Sequence, residues 1–377
     1  ASNDQRLLGG FDGRSSFQVP GRVFTATGPA SGVILNTDEF GRGDIPDGPE
    51  DFREWDFERD AHDRVPFGAN QAYSPVDMYT ALVNATHELT ERTTLSGMLL
   101  YNNLRTEDGA GASTGQLLVP TDNPWNVFGE PAVVNYRFFH PDFLDRGFPV
   151  FTENQTVTAQ LSATHQISEN FEGVLTFGGY REDGQSEFPV FVQPLIEQQV
   201  NLTTSNAFNP FCDRCNTVAQ FGGGASMAKE EVTRILLTAD ARVNGEILDI
   251  LPTGSIQSSF GGQWRQEEAG INYAALQEAG LLYDFGQLAD EELERSVWSV
   301  FAEARVPLMP ERSGTGPSPL ELGIVARYED FSDFGGTFDP LVSLRAEVIP
   351  DNLVLRASWN SSFRAPFLEQ LLDNAQP

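Results

Sequence analysis

Apolar and polar residues alternate with a period of two through much of the chain. Between positions 341 and 348, Val342, Leu344, Ala346 and Val348 share one face, with Ser343, Arg345 and Glu347 on the other. An Ile349-Pro350-Asp351-Asn352 turn follows, after which Leu353, Leu355, Ala357 and Trp359 alternate against Arg356, Ser358 and Asn360. Successive side chains of a strand point to opposite faces, so this pattern predicts an antiparallel hairpin with one apolar and one polar face. Four further pairs of runs fit the same template. Ala81, Val83 and Ala85 precede Leu95, Gly97, Leu99 and Tyr101, while Val157, Ala159, Leu161 and Ala163 precede Phe171, Gly173, Leu175 and Phe177. Thr233, Ile235, Leu237, Ala239 and Ala241 precede Ile256, Phe260 and Trp264. Trp298, Val300, Ala302, Ala304 and Val306 precede Leu320, Leu322, Ile324, Ala326 and Tyr328. The pattern therefore predicts about ten strands, each near the ~9–11 residues that a tilted membrane strand needs.

The links between these runs are unequal. One end carries short turns, at 88–92, 168–170 and 350–352, and the other carries long connections, at roughly 106–152, 184–230 and 268–295. Short turns on one side and long loops on the other are the mark of an outer-membrane barrel, whereas a soluble sandwich has shorter and more even loops. The predicted fold class is all-β: an antiparallel up-and-down transmembrane β-barrel, present in part, with long extracellular loops. Residues 1–75 are rich in Gly, Pro and Asp and lack clean alternation, so they are expected to be an extracellular loop region with little regular structure. Residues 76–366 are expected to form the partial barrel, and 367–377 the start of the next extracellular loop. A short helix is expected within 285–295. The opening Ala1-Ser2-Asn3-Asp4 has neither a basic n-region nor an apolar h-region, and for an exported protein this reads as an N-terminus lying further upstream.

Composition narrows the function. A net charge of −30 and a pI near 4.3 exclude a nucleic-acid partner, since a polyanion would be repelled and no basic stripe is present. Lys229 is the sole lysine. The remaining fixed cations are Arg, which holds carboxylates bidentately and suits ion pairs in a polar lumen, although a general preference for Arg explains the bias equally well. No catalytic constellation stands out, and no cofactor or metal is implied; the expected protein is not an enzyme. Asp330, Asp333 and Asp339 surround Phe334-Gly335-Gly336, but their spacing matches no calcium loop, and solvated loop charges are the simpler reading. Cys212-Asp213-Arg214-Cys215 holds both cysteines. It is read as a loop disulfide in an oxidising compartment, with a zinc half-site as the alternative. His87 and His165 are read as polar residues at strand ends.

Two motifs carry a family resemblance. Ser361-Ser362-Phe363-Arg364-Ala365-Pro366 resembles the "FRAP" segment inside the barrels of TonB-dependent outer-membrane receptors. Asn123-Pro124-Trp125-Asn126-Val127-Phe128-Gly129, echoed by Asn206-Ala207-Phe208-Asn209-Pro210-Phe211-Cys212, resembles the "NPFNPFG" box of the large-loop, Oar-like group of those receptors. The stretch from Pro66 to Tyr79 is similar to a strand entry in that group, except that Asp77-Met78 stands where a basic residue is usual. The resemblance implies an internal portion of a 22-stranded barrel whose plug domain and TonB box lie outside the recognisable segments. It implies active import of a small-molecule, sugar, peptide or metal-complex ligand, with outer-membrane lipid, the protein's own plug and the TonB complex as partners. Trp125, Phe128, Phe208 and Phe211 would then form an aromatic platform near the ligand mouth, or else pack the loop against itself. By alternation, Arg327, Arg345, Glu347, Arg356 and Arg364 would face the lumen and pair with one another or with the plug. Two rival classes share the strand pattern: a passive porin or adhesin barrel, and a secreted soluble β-rich carbohydrate-binding protein.

Overall fold

Strand length separates the chain into two sheets. The computed structural model describes residues 19–41, 43–60, 75–110, 113–141, 148–310, 318–350 and 352–371. In chain order the strands are β1 (Arg22–Thr25), β2 (Val33–Leu35), β3 (Phe52–Glu54), β4 (Val76–Thr90), β5 (Thr93–Ala110), β6 (Thr114–Val119), β7 (Ala132–Arg137) and β8 (Phe148–Gln166). They continue as β9 (Phe171–Phe191), β10 (Ala225–Leu251), β11 (Gly254–Tyr273), β12 (Glu291–Pro307), β13 (Leu320–Phe331), β14 (Gly335–Ile349) and β15 (Leu353–Asn360). The α-helices are short: α1 (Phe57–Asp60), α2 (Gln193–Val200) and α3 (Ala275–Glu278). The long strands form one ten-stranded wall in the order β15-β14-β13-β12-β11-β10-β9-β8-β5-β4, and the five short ones form a second sheet, β3-β2-β1-β7-β6.

Every pairing in the wall is antiparallel, and its register keeps like faces together. Phe177 pairs with Ala239, Trp264 with Trp298, Val300 with Tyr328, and Val342 with Trp359. A slip of one residue would turn each apolar row to the other face. That row is the more exposed side of the wall: Phe177 is 58% exposed and Trp298 64%. The polar rows opposite are half-buried, so the polar side is the concave one. Apolar residues exposed over many strands form a surface far larger than soluble monomers tolerate, and from Trp298 to Val306 the row is about nine residues long, enough for a tilted strand to cross a bilayer. No described helix is long and apolar enough to cross a membrane. Tyr101, Trp264, Trp298, Tyr328 and Phe338 lie at the end of the row nearest the long connections. The next outward positions are Asn103, Gln266, Ser296, Asp330 and Gly336. Rings with one apolar and one wet side belong at such a boundary.

The strands run past the apolar band, which corrects two expectations. Residues 291–295 are the start of β12, with Leu293 opposite Ala269 and Glu291 opposite Ile271; the short helix expected there lies earlier, at α3. Much of what reads as long loop is likewise strand above the membrane band, where outward positions such as Arg181 and Asp183 turn charged. The polar link between β12 and β13 includes 311–317, which lies outside the described residues, as do the first part of the 66–79 stretch, Asp351 and the segments 1–18 and 372–377.

The second sheet caps the wall at the long-connection end. Leu117 and Val119 of β6, Val134 and Tyr136 of β7, and Val23 of β1 turn inward and meet Phe138, Phe191, Ile196, Val200, Phe208, Phe211 and Phe221 in one core. Residues 19–60 belong to this cap. They hold three short strands and α1, more regular structure than the expected loop. Strands of three or four residues are too short to show alternation, and that is why the sequence hid them.

Candidate functional site

The concave face of the wall carries a network of ion pairs. Strand alternation places residues i and i+2 side by side on it. Arg265 thus reaches Glu267 at 2.7 Å, and Arg327 reaches Glu329 at 2.8 Å. Cross-strand contacts join these pairs. Arg327 Nη2 also donates to Gln263 Oε1 (3.1 Å) and Ser299 Oγ (3.0 Å), and Arg265 lies 3.4 Å from Glu329. Arg295 of β12 is 2% exposed, sits 3.6 Å from Glu267, and holds Asp333 at 2.7 Å. A smaller cluster lies on β9 and β10, where Arg234 binds Glu182 at 2.9 Å and the Tyr180 hydroxyl donates to Glu182 at 2.7 Å. Bonds to charged groups are roughly twice as strong as neutral ones, so such networks fix the wall's side chains in place.

The five charges assigned from the sequence fall in different settings. Arg327 joins the main network. Arg345 donates to the Ser318 carbonyl (2.9 Å) and lies 3.8 Å from Glu321, while Glu347 lies on the same face of β14, toward the short-turn end. Arg356 lies directly opposite Arg345 across β14 and β15. Arg364 lies outside any strand, its guanidinium 4.8 Å from the Phe367 ring. Arg265, Glu267, Arg295 and Glu329 were missed by sequence reasoning, and Asp333, read there as a solvated loop charge, is an ion-pair partner. The Arg-x-Glu spacing of Arg265/Glu267 and Arg327/Glu329 was a usable signal; the meeting of Arg295 with Asp333 is tertiary and had none. Asp333 binds Arg295, Asp339 sits opposite Arg327, and Asp330 faces outward opposite Trp298, so the three do not converge on a cation. Among the described residues no cluster of His, Cys, Asp or Glu can hold a metal ion.

The two Asn-rich boxes meet in the cap. Three of their four Asn accept from the backbone N–H two residues on: Asn123 from Trp125 (2.9 Å), Asn126 from Phe128 (3.0 Å) and Asn209 from Phe211 (3.0 Å). These are Asx turns, and each turns an aromatic side chain toward the core. The boxes then bind one another. Asn123 Nδ2 donates to the Val200 carbonyl (2.7 Å), Trp125 Nε1 to the Ala207 carbonyl (2.9 Å), and the Phe128 and Phe211 rings lie 5.7 Å apart. Phe208 and Phe211 are 0% exposed, and Trp125 and Phe128 pack half-buried on the same core. Rings closed off from solvent cannot meet a ligand, so self-packing replaces the aromatic platform for Phe208 and Phe211. Cys212 and Cys215 are joined as a disulfide with Cα atoms 5.9 Å apart. Gly43 N–H donates to the Asp213 carbonyl beside it (2.8 Å), and Gly21 N–H to that of Pro210 (3.0 Å), tying residues 19–60 to the second box.

At the cap's edge, Asp60 is buried against a fork from Arg53, with both guanidinium contacts at 2.7 Å. Burial opposes its ionisation, but the Arg53 fork, the Asp56 backbone N–H and Arg59 outweigh it and hold the carboxyl at about 2. An open groove of about 430 Å³ lined by Asp77, Arg105, Glu107, Phe151, Glu153 and Glu187 lies mostly on outward positions above the aromatic rim; it does not belong to the concave face.

A family model described as "TonB dependent receptor-like, beta-barrel" matches residues 85–377. No curated protein matches. Among solved structures, the RagAB peptide transporter is similar at 10% identity and a TM-score of 0.47, over 76% of this chain and 33% of that one. The ferric enterobactin receptor PfeA of Pseudomonas aeruginosa is similar at 14% identity and a TM-score of 0.45, over 82% of this chain and 37% of that one. The ferric-catecholate import receptor Fiu of E. coli K12 is similar at 12% identity and a TM-score of 0.39, over 78% of this chain and 41% of that one. The chain thus spans 33% of the length of the first of these.

Proposed function

The chain belongs to the TonB-dependent receptor β-barrel family of the bacterial outer membrane, and from that premise we propose that it supplies the wall and the extracellular cap of an active-transport receptor. In this reading a ligand is bound on the extracellular side and imported with energy transmitted by TonB, the protein's own plug filling the lumen. The chain's contribution is recognition and passage, with no bond made or broken. Arg327, Arg345, Glu347 and Arg356 line the lumen, where they meet the plug or a passing ligand. The observation that carries the reading is the inverted wall beneath a folded cap: apolar side chains outward, paired charges inward, and a cap with its own aromatic core over one end. Lipid is the medium that favours such an outward row, and a polar lumen is the place where so many Arg and Glu side chains are satisfied.

Two measurements test it. The intact protein should fractionate with the outer membrane and require detergent for extraction. A strain lacking the gene should lose uptake of one member of a panel of ferric complexes, oligosaccharides, cobalamin and peptides, and a strain lacking TonB should lose the same one. Uptake that persists without TonB would identify a passive barrel instead, and extraction without detergent would identify a soluble protein.

A further inference from the structure

The wall ends at Asn360, but the chain does not leave it. Ser361 N–H donates to the Pro340 carbonyl on β14 (3.1 Å), and the following residues depart from the strand path. Phe363 packs edge-on to Phe331 at the end of β13 (6.1 Å between centroids) and against Phe334 in the β13–β14 turn (5.2 Å). Phe331 and Phe334 are themselves stacked at 4.3 Å. One step further, the Pro366 carbonyl accepts from Arg295 Nη1 of β12 (2.9 Å). The 3-10 turn Leu368–Leu371 then lies against β11 and β12, with Leu368 buried. Residues 361–371 therefore cross the extracellular end of the concave face, passing from β15 over β14 and β13 to β12 and β11.

We propose that residues 361–371 form a strap across the lumen wall and that Arg295 is the positioning residue holding it there. The inference rests on the concave face being the lumen. Arg295 is suited to the task because all three of its nitrogens are used. Nε and Nη2 both donate to Asp333 Oδ2, at 2.8 and 2.7 Å, which fixes the plane of the guanidinium, and Nη1 is left pointing at the strap. The Phe334 and Phe331 rings lie 5.5 and 6.0 Å from the guanidinium carbon and cover it. Asp333 sits in a three-residue turn closed by Gly335 at φ +91°, a conformation that favours glycine, so the acceptor is itself held. The bond to the strap uses a backbone carbonyl. The clamp thus fixes the path of the strap and leaves Arg364, whose guanidinium stacks on Phe367, on display. Among the described residues Arg364 has no carboxylate partner, and the strap presents it to an anionic group of the plug or ligand.

The test is the accessibility of the strap. Cys212 and Cys215, the two cysteines of the chain, are joined to each other, so a single cysteine placed by Ala365→Cys can be labelled with a bulky membrane-impermeant maleimide on intact outer membranes. The expected result is slow labelling in the parent and a rise of at least ~10-fold with Arg295→Met or Asp333→Asn, the change that follows the loss of a bond to a charged group. Arg295→Lys, which cannot hold Asp333 and Pro366 together in one plane, should fall between, and Arg345→Met, on the wall away from the strap, should label at the parent rate. Heat-modifiable mobility on gels reports separately that each barrel is folded. Fast labelling in the folded parent, or parent-rate labelling in folded Asp333→Asn, would overturn the strap. The result does not depend on the transported ligand: a barrel that fails the TonB test can still pass this one, and the reverse.

Discussion

The wall and the cap bury their apolar residues in opposite directions. In the cap, Phe208 touches Tyr136, Phe138 and Phe221 at centroid distances of 5.3, 6.3 and 5.1 Å, and Asn123 and Asn209 enter the core in turns, each accepting from a backbone N–H. In the wall, Phe177 and Trp298 point away from the protein, and Arg, Glu and Ser fill the inside. Water drives the first arrangement and lipid the second, since a side chain gains from leaving water whichever apolar medium receives it. The same residue types therefore answer to different neighbours: a cap ring is specified by the rings around it, whereas a wall residue is specified by its parity on the strand.

The largest effect should come from breaking the cap. Phe208→Ala removes a fully buried ring at the junction of the two Asn boxes, a change that costs about 3–5 kcal/mol in a packed core. Limited proteolysis of the detergent-solubilised protein should then cleave within the cap while the wall keeps its heat-modifiable mobility. Simultaneous loss of the wall would show that the two sheets are one cooperative unit and would undo the contrast between them.

The next effect should come from the wall's outer face. Ile324 lies outward, midway along its apolar row on β13, opposite Ala304 and Val342. Ile324→Arg places a charge near the bilayer midplane, at about 2–4 kcal/mol. The same exposed position on a soluble protein would change stability by no more than about 0.5 kcal/mol. Urea titration of the protein refolded into lipid vesicles separates the two, and an unchanged midpoint would remove lipid from the account of the wall.

A smaller effect belongs to acid and to the cap alone. The carboxyl of Asp60 is held at about 2, below its ordinary 3.8. A depressed folded value adds stability that is complete above the unfolded value and is lost as pH falls through the folded one. The expected loss is about 2 kcal/mol between roughly pH 4 and pH 2, converting the shift at 1.36 kcal/mol per unit. Protease sensitivity of residues 19–60 should rise over that window in the parent, and Asp60→Asn should be sensitive already at neutral pH. A parent that stays resistant at about pH 2 would show that the Arg53 fork contributes little.

This difference between the regions also decides what the sequence made legible. Strand parity survives in a single chain of letters, so ten wall strands, their short turns and the side on which Arg327, Arg345 and Arg356 lie could be read from alternation alone. The cap could not be read that way. β1, β2 and β3 are three or four residues long, and their partners come from residue 132 onward or from each other. Its Asn boxes were visible as a repeat, but self-packing was decided by contacts such as Asn123 to Val200, 77 residues apart. The concave network divides in the same way. Arg-x-Glu pairs obey parity, whereas Arg295 with Asp333 and Pro366 depends on a tight turn and a crossing strap that no local pattern announces.

The smallest effect should run in the opposite direction. Arg356 of β15 faces Arg345 of β14 directly, and like charges opposite one another in a sheet are destabilising. Arg345 already has Glu321 at 3.8 Å, whereas among the described residues Arg356 has no carboxylate partner. Arg356→Glu should therefore stabilise the wall by about 0.2–1 kcal/mol, seen as a small rise in the urea midpoint. If the wall existed only to stand, this exchange would be an improvement without consequence. In the proposed receptor this cation faces the lumen, where a plug or ligand carboxylate pairs with it, so transport should fall while stability rises. A variant that gains stability and keeps full uptake would show that Arg356 is part of the wall and no part of the passage.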